Sequence, residues 1–494
     1  MKSDKLQDAI GMVDADLVAK ANEKPKKSKI RHIKWLAPIA AVLAIVIAVS
    51  PFLRNASMPK DPISDNPPIE QTTKQDKPFF ENPFILKSYA INEAEYPKMT
   101  QYPKTELGYE AWSDDQRIRR GYFGAGENLD KFFKETYSEF LSNSGKENKL
   151  YSPLNVYMAL SMLAEVTEGE SRQQILDLLD AESIEALRKQ ANSVWNANYN
   201  NDGAVTSILA SSLWLNENIN FNKNTLKALA DNYYASSYQG KMGSAKFNEA
   251  MQEWLNEQTG GLLQEQISNI ELDPETIMAI ATTIYYQAKW EAEFQNSQNT
   301  KEIFHSPIGD MNCTFMHRSE TYGEYYWGKK FSAVGKNLEM SGKMWFILPD
   351  ENVSVDELLK DSEALSFMAD PYEWEKQKTL IVNLSVPKFD ACSDLDLKEE
   401  LQNLGVTDCF DDTVADFSPV TEQNDGMYLS KVQHGVRVAI DEEGVTAAAY
   451  TVLPMPGSAM PPNDEIDFVL DKPFIFVITG EDGLPLFAGV INQP

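Results

Sequence analysis

The chain has 494 residues, of which 43% are hydrophobic and 24% charged, so it can bury a large core. Its formal net charge of −29 argues against a nucleic-acid partner, because phosphate binding needs a basic face, and we attribute the acidity to solubility. Three cysteines are too few for a disulfide framework, and four histidines show no metal-ligand spacing, so we expect buried free thiols, no metal and no cofactor.

The N-terminal region predicts a short cytoplasmic tail followed by a membrane span. Residues 1–34 are polar and end in the basic run KPKKSKIRHIK, and residues 35–53, WLAPIAAVLAIVIAVSPFL, carry no charge. A helix of this length, at about 1.5 Å per residue, spans close to the roughly 30 Å hydrocarbon core of a bilayer. We therefore predict a transmembrane helix over 35–53, with residues 1–34 in the cytoplasm and the rest outside, because basic residues favour the cytoplasmic side.

Two other interpretations of this apolar segment remain open. A cleavable signal peptide is suggested by the small residues Ala48-Val49-Ser50, although a polar leader of 34 residues is long for one. A buried core helix is less favoured, because no adjacent segment could cover it.

The remainder of the chain predicts a linker and one large domain. Residues 54–78 are rich in proline and predict a semi-extended linker, and residues 79–494 have globular composition, with an aromatic-rich lead-in over 79–120. Helical periodicity marks 127–143, 152–166 and 247–267, whereas strand-like runs dominate later. Helices first and strands later predict an α+β fold with mainly antiparallel pairing.

Seven segments, in this order, resemble the serpin family of serine protease inhibitors. They are NKLYSPLNVYMALSML (148–163), WLNEQTGGLLQEQI (254–267), TTIYYQAKWEAEF (282–294), ILPDENVSVDEL (347–358), VPKFDACSDLDLKEELQNLGVTDCF (386–410), LSKVQHGVRVAIDEEG (429–444) and PLFAGVINQP (485–494). The resemblance implies three β-sheets, eight or nine helices and an exposed reactive-centre loop. A target protease cleaves this loop, and the cut loop inserts as a new strand into the large sheet, carrying the trapped enzyme with it.

The loop residues fit this implied role. Glu442, Glu443 and Gly444 match the family's hinge, and Val445, Thr446 and Ala447-Ala448-Ala449 follow it. Because strand side chains alternate, the inward-facing set after Gly444 would be Val445, Ala447, Ala449, Thr451, Leu453 and Met455. Small residues at the first of these positions reduce overpacking during insertion. Without the flanking segments, the same stretch would be typical of an alanine-rich surface loop.

The resemblance also implies which residues control sheet opening. Polar positions beneath the sheet, the shutter, correspond to Ser152, Asn155, Thr282 and His434, and the breach at the top of the sheet corresponds to Trp290. Asparagine and threonine replace the family's usual serine and asparagine at two of these positions, so the hydrogen bonds must differ.

Together these patterns predict a monomeric, membrane-tethered inhibitory serpin on a bacterial surface. The resemblance implies a fixed count from the hinge glycine, which would put the reactive bond at Ser458–Ala459, with Ala459–Met460 as the alternative. Small residues there favour elastase-like or subtilisin-like serine proteases. Two prolines in the loop, Pro454 and Pro456, oppose deep insertion and keep open a non-inhibitory serpin that acts as a surface binding module. An enzyme is not indicated, because the sequence contains no recognisable pair of nucleophile and base.

Overall fold

The structure is a computed structural model, and it describes residues 39–49, 84–103, 105, 108–268, 270–445 and 462–494. Within these ranges the chain forms two nine-stranded sheets and twelve α-helices. The strands are β1 (Ile39–Val49), β2 (Ala90–Asn92), β3 (Lys149–Tyr151), β4 (Asn200–Asn201), β5 (Thr206–Asn216), β6 (Ala235–Gly240), β7 (Thr276–Lys289), β8 (Thr300–Ser306), β9 (Gly309–Trp327), β10 (Phe331–Asn337), β11 (Lys343–Pro349), β12 (Gln377–Pro387), β13 (Phe389–Asp396), β14 (Met427–Ile440), β15 (Gly444–Val445), β16 (Glu465–Val469), β17 (Phe474–Thr479) and β18 (Pro485–Ile491). The helices are α1 (Phe84–Tyr89), α2 (Tyr109–Arg120), α3 (Asp130–Leu141), α4 (Pro153–Val166), α5 (Gly169–Leu178), α6 (Ile184–Asn198), α7 (Lys223–Tyr233), α8 (Ala245–Gln258), α9 (Gln264–Ile267), α10 (Val355–Leu358), α11 (Ser362–Ala369) and α12 (Lys398–Asn403).

The first sheet, which we call the large sheet, has the order β13-β14-β1-β7-β5-β6-β2, with β15 paired to β7 and β4 to β5. The second has the order β16-β12-β9-β10-β11-β17-β18-β3, with β8 paired to β9. Two strand pairs, β5–β6 and β12–β16, are parallel, and the other described pairs are antiparallel. The predicted α+β fold with mainly antiparallel pairing is therefore confirmed.

The number of sheets and helices differs from the expectation of three sheets and eight or nine helices. The reason for two sheets is β9, a continuous strand of 19 residues that pairs successively with β8, β12 and β10. This one strand joins pairings that would otherwise belong to separate sheets. The additional helices among the described residues include α1 and α2 of the lead-in and the four-residue helices α9 and α10.

The large sheet is covered on both faces. On one face lies α4, all fourteen of whose residues are buried, and its N-terminus is capped by the Ser152 side chain with proline in the first turn. On the other face lies α8, whose buried Trp254 belongs to a cluster with Trp214 and Ala44 of the sheet. A strand in the middle of this sheet is therefore enclosed by apolar side chains above and below.

The lead-in joins the edge of the domain. Strand β2 extends the large sheet by pairing with β6, and α2 is held by a hydrogen bond from Trp112 Nε1 to Asp202 Oδ2 of 2.8 Å. Arg119 of the same helix donates to the Ala197 carbonyl at 2.9 Å and pairs with Glu481.

The predicted transmembrane helix over 35–53 is not what the structure shows for the described residues of that segment. Ile39–Val49 form the strand β1, and no described helix has the length and hydrophobicity that crossing a bilayer requires. The sequence disfavours a buried core helix here, because no adjacent segment could cover it. The segment is instead a buried strand, and the strands β7 and β14 that cover it come from distant parts of the chain. The predicted tail 1–34 and linker 54–78 lie outside the described residues.

The cysteines follow the expectation at two of three positions. Cys313 and Cys409 are buried and free, and burial raises the pKa of Cys409 to about 12. Cys392 is also free but exposed, because it occupies an outward-facing position on the edge strand β13.

Candidate loop-insertion site

The hinge after β14 is a tight turn that directs the chain back toward the large sheet. Asp441 Oδ1 accepts hydrogen bonds from the backbone N–H groups of Glu443 at 2.9 Å and Gly444 at 3.3 Å. Gly444 has a φ of 147°, and a β-carbon there would lie 2.7 Å from the Ala288 carbonyl oxygen. Only glycine fits this close approach to β7, at the position that the family resemblance assigns to the hinge.

Glu442 anchors the turn through a buried carboxylate. Its Oε2 lies 2.6 Å from Lys388 Nζ, and its Oε1 accepts a hydrogen bond from Asn299. Burial alone would raise the pKa of Glu442, but the hydrogen bonds from Lys388, the backbone and Asn299 outweigh it and lower the pKa. The side chain that precedes the loop is therefore fixed as a charged group.

Trp290 lies where the hinge meets the end of β7. Its indole Nε1 donates to the Asp441 carbonyl at 2.9 Å, and its backbone N–H donates to the Glu443 carbonyl at 3.2 Å. The buried Lys336 ammonium lies 5.5 Å from the centre of its ring, in the geometry of a cation–π contact. These contacts hold the first hinge residues against β7 at the predicted breach.

The four predicted shutter residues meet beneath the middle of the large sheet. The Ser152 backbone N–H donates to His434 Nε2 at 2.9 Å, and Ser152 Oγ donates to the Leu486 carbonyl at 2.6 Å. Asn155 Nδ2 donates to the Thr282 carbonyl at 3.3 Å, and the Thr282 hydroxyl oxygen has no hydrogen-bond partner among the described residues. His434 is fully buried, and Nε2 accepts a hydrogen bond.

The space between β14 and β7, which we call the insertion slot, is occupied by β1. This strand is antiparallel to both neighbours, so β14 and β7 run parallel to each other. At its centre, Leu43 is paired with Thr282 on one side and with His434 on the other. Two of the shutter residues are therefore separated by a strand from the N-terminal part of the chain.

The hinge enters the same slot from its end. In the register of β7, Gly444 is opposite Lys289 and Val445 is opposite Ala288, while β1 begins with Ile39 opposite Tyr286. One position of β7, that of Gln287, lies between the end of β15 and the start of β1.

The other predicted loop residues, Thr446, Ala447-Ala448-Ala449, Ser458 and Ala459, lie outside the described residues. Sequence reasoning missed Lys388 and Asn299, the partners of Glu442. A signal was available for Lys388, because it is a lone lysine between the buried residues Pro387 and Phe389. Among the described residues, no group of acidic, histidine or cysteine side chains is placed to hold a metal ion.

Comparison with known families and proteins gives a consistent result. A family model described as "Serpin (serine protease inhibitor)" matches residues 127–494. Serpin B11 of Mus musculus is 26% identical over 397 residues, which is 74% of this chain and 98% of that protein. Leukocyte elastase inhibitor of Homo sapiens is 25% identical over 374 residues, again 74% of this chain and 98% of that protein.

Comparison with solved structures shows the same fold. The thermophilic serpin tengpin in its native state is 25% identical, with a TM-score of 0.65, and the match covers 82% of this chain and 100% of that one. Cleaved serpin 42Da, at 17% identity and a TM-score of 0.64, shares the fold, with 75% of this chain covered.

Proposed function

Because the chain belongs to the serpin family, we propose that it inhibits serine proteases by loop cleavage and insertion of the cut loop into the insertion slot. The observation that carries this proposal is the pairing of Gly444 and Val445 with β7, which starts the loop along the slot. Inhibitory relatives such as leukocyte elastase inhibitor support it. If the inserted loop continues in this register, Ala447 would be opposite the buried Tyr286, on the core side of the sheet.

The proposed targets are elastase-like or subtilisin-like enzymes, and the proposed reactive bond is Ser458–Ala459. No lysine or arginine occurs between residues 444 and 471, which disfavours trypsin-like targets. Proline on the leaving side disfavours Met455–Pro456 and Met460–Pro461. A small residue before the bond suits a shallow specificity pocket, where a bulky side chain would clash.

The direct test is to mix the full chain with an elastase-like, a subtilisin-like and a trypsin-like protease. We expect a covalent complex with one of the first two that survives denaturing electrophoresis, and none with the third. A catalytically inactive form of the same protease, with its nucleophilic serine replaced, is the control and should give no complex. Cleaved product alone with every protease would contradict inhibition.

Mass spectrometry of the C-terminal fragment identifies the bond. We expect a fragment that begins at Ala459, and one that begins at Met460 would move the reactive bond by one residue. A cut elsewhere would show that counting from the hinge does not hold for this loop.

A non-inhibitory serpin that acts as a surface binding module is the second candidate. One observation favours it: β1 already fills the slot that an inhibitory loop must enter. Thermal stability before and after loop cleavage distinguishes the candidates, since a large rise in the melting temperature requires insertion and a non-inhibitory protein would show none.

We also propose attachment to a bacterial membrane, with the serpin domain outside the cell. Support comes from the uncharged run 35–53 and the basic cluster before it. In this location the segment would be a helix in the bilayer, and in the sheet it is a strand, so the two placements exclude each other.

A further inference from the structure

We propose that β1 is an exchangeable occupant of the insertion slot, and that the cleaved loop enters the sheet only after residues 39–49 have left it. The inference rests on the proposed insertion of the loop and adds the chain's own N-terminal segment as the group that regulates it. Its basis is the register, direction and burial of β1.

The register along β7 leaves no room for both β1 and the inserted loop. Val445 is opposite Ala288, so continued insertion would place Thr446 opposite Gln287 and Ala447 opposite Tyr286. Ile39 already takes the position opposite Tyr286, and β1 continues along β7 as far as Thr276. Every position that the loop needs beyond Thr446 is therefore held by β1.

An inserted loop and β1 would also run in the same direction along the slot. A loop that turns back after β14 must run antiparallel to it, and β1 runs antiparallel to both β14 and β7. Its backbone pairs with both neighbours along the strand, as an inserted loop would. The slot therefore receives from β1 the pairing that the loop would otherwise supply.

The side chains of β1 follow the alternation expected for the loop. Leu43, Ile45 and Ile47 are at most 1% exposed and pack into the main core, whereas Ala44 faces α8 on the opposite side of the sheet. In the extended register these three core positions correspond to Thr451, Leu453 and Met455 of the loop, which belong to its predicted inward set. The apolar side chains Leu43, Ile45 and Ile47 thus fill the core positions that the loop would fill with Thr451, Leu453 and Met455.

Burial explains why β1 opposes insertion. Each fully buried leucine or isoleucine side chain of β1 stabilises the strand in the sheet relative to an exposed position. The cleaved loop gains sheet pairing only by removing these contacts, so the net gain from insertion is smaller than for an empty slot. A loop that is cut while β1 stays in place releases the protease, and the covalent complex forms only in molecules from which β1 has left.

A disulfide that reversibly holds β1 in the sheet, which we call the lock, tests whether β1 must leave before the loop inserts. Ala44 is directly opposite Ala281 of β7, and antiparallel pairs have the separation that a disulfide needs. The full chain with Ala44→Cys and Ala281→Cys, in a Cys392→Ser background that removes the exposed thiol, can be oxidised and then reduced. The single variants Ala44→Cys and Ala281→Cys, oxidised in the same way, are the controls.

A variant in which β1 is released from the sheet supplies the comparison with the oxidised lock. Ile45→Asp places a charge at a position that is 0% exposed, which drives the strand out of the core without changing the loop. After loop cleavage by a protease, we expect the melting temperature to rise in Ile45→Asp and not in the oxidised lock, and reduction should restore the rise. An equal rise in both forms, or a rise in neither, would overturn the proposal.

The outcome remains decidable if Ile45→Asp does not fold, because the oxidised and reduced lock differ by one bond in one folded protein. An equal change in melting temperature after loop cleavage in the oxidised and reduced states overturns the proposal. A rise in melting temperature confined to the reduced state supports it. The covalent complex with protease is a separate measurement. A rise in melting temperature without any covalent complex would support the exchange of β1 for the loop and would contradict inhibition.

Discussion

At the scale of single residues, the contact between Lys388 and Glu442 determines how firmly the hinge is held. Glu442 is buried, and the side chain of Lys388 is 34% exposed. We expect Lys388→Ala to lower the free energy of unfolding by about 1–2 kcal/mol, because it leaves a buried carboxylate without its ammonium partner. Urea denaturation measures this, and Lys227→Ala, which removes an exposed pair with Asp231, should change it far less.

The contact between Lys388 and Glu442 also makes the free energy of unfolding depend on pH in a predictable direction. The pKa of Glu442 is lower in the folded state than its usual value. The stabilisation is therefore present above the unfolded pKa of about 4.3 and is lost as the pH falls through the folded pKa. Glu442→Gln should flatten this part of the stability curve, and an unchanged curve would contradict the assignment.

At the scale of elements, strand alternation separates two neighbouring loop positions. Ala447 would be opposite Tyr286 on the core side, whereas Thr446 would be opposite Gln287, which is partly exposed on the other face. We expect Ala447→Arg to abolish the covalent complex while loop cleavage continues, because an unpaired buried charge costs several kcal/mol. Gel electrophoresis of the reaction measures both products.

Thr446→Arg is the matched control, and it should retain most of the complex because its side chain would face solvent. Full inhibition by Ala447→Arg, or equal loss in both variants, would show that the loop does not follow the register set by Gly444 and Val445.

Elements also show what the sequence could and could not predict. The hinge glycine and the shutter residues were predicted from the resemblance of their segments to the family's motifs, although the contacts of Ser152, Thr282 and His434 join distant parts of the chain. The strand β1 was not, since an uncharged apolar run satisfies a bilayer and a buried central strand equally well. Lys388 and Asn299 were missed because a contact between distant segments leaves no periodic signal.

At the scale of the whole molecule, membrane attachment can be tested independently of inhibition. We expect the full chain made in bacterial cells to remain with membranes after alkaline extraction, with the serpin domain digested by protease added outside. Ile45→Arg should move the protein toward the soluble fraction, because arginine at the centre of a membrane helix costs about 2.5–3.5 kcal/mol. Ile45→Leu is the control that should stay with the membrane.

A wild-type protein that is fully extractable by alkali would contradict the proposed span. It would leave the exchange of β1 and the loop untouched, since that exchange takes place within the sheet.

The position of β1 in the sequence sets an order in time. Its partner β14 begins at Met427, almost four hundred residues after β1 ends at Val49. Chains are synthesised at about 5–20 residues per second, so this apolar segment waits roughly 20–80 s for its second neighbour. If the segment enters a bilayer as proposed, it can do so during that interval, when its place in the completed sheet does not yet exist. Under the proposed attachment, synthesis rate and membrane access would therefore act on this segment before the stability of the sheet can contribute.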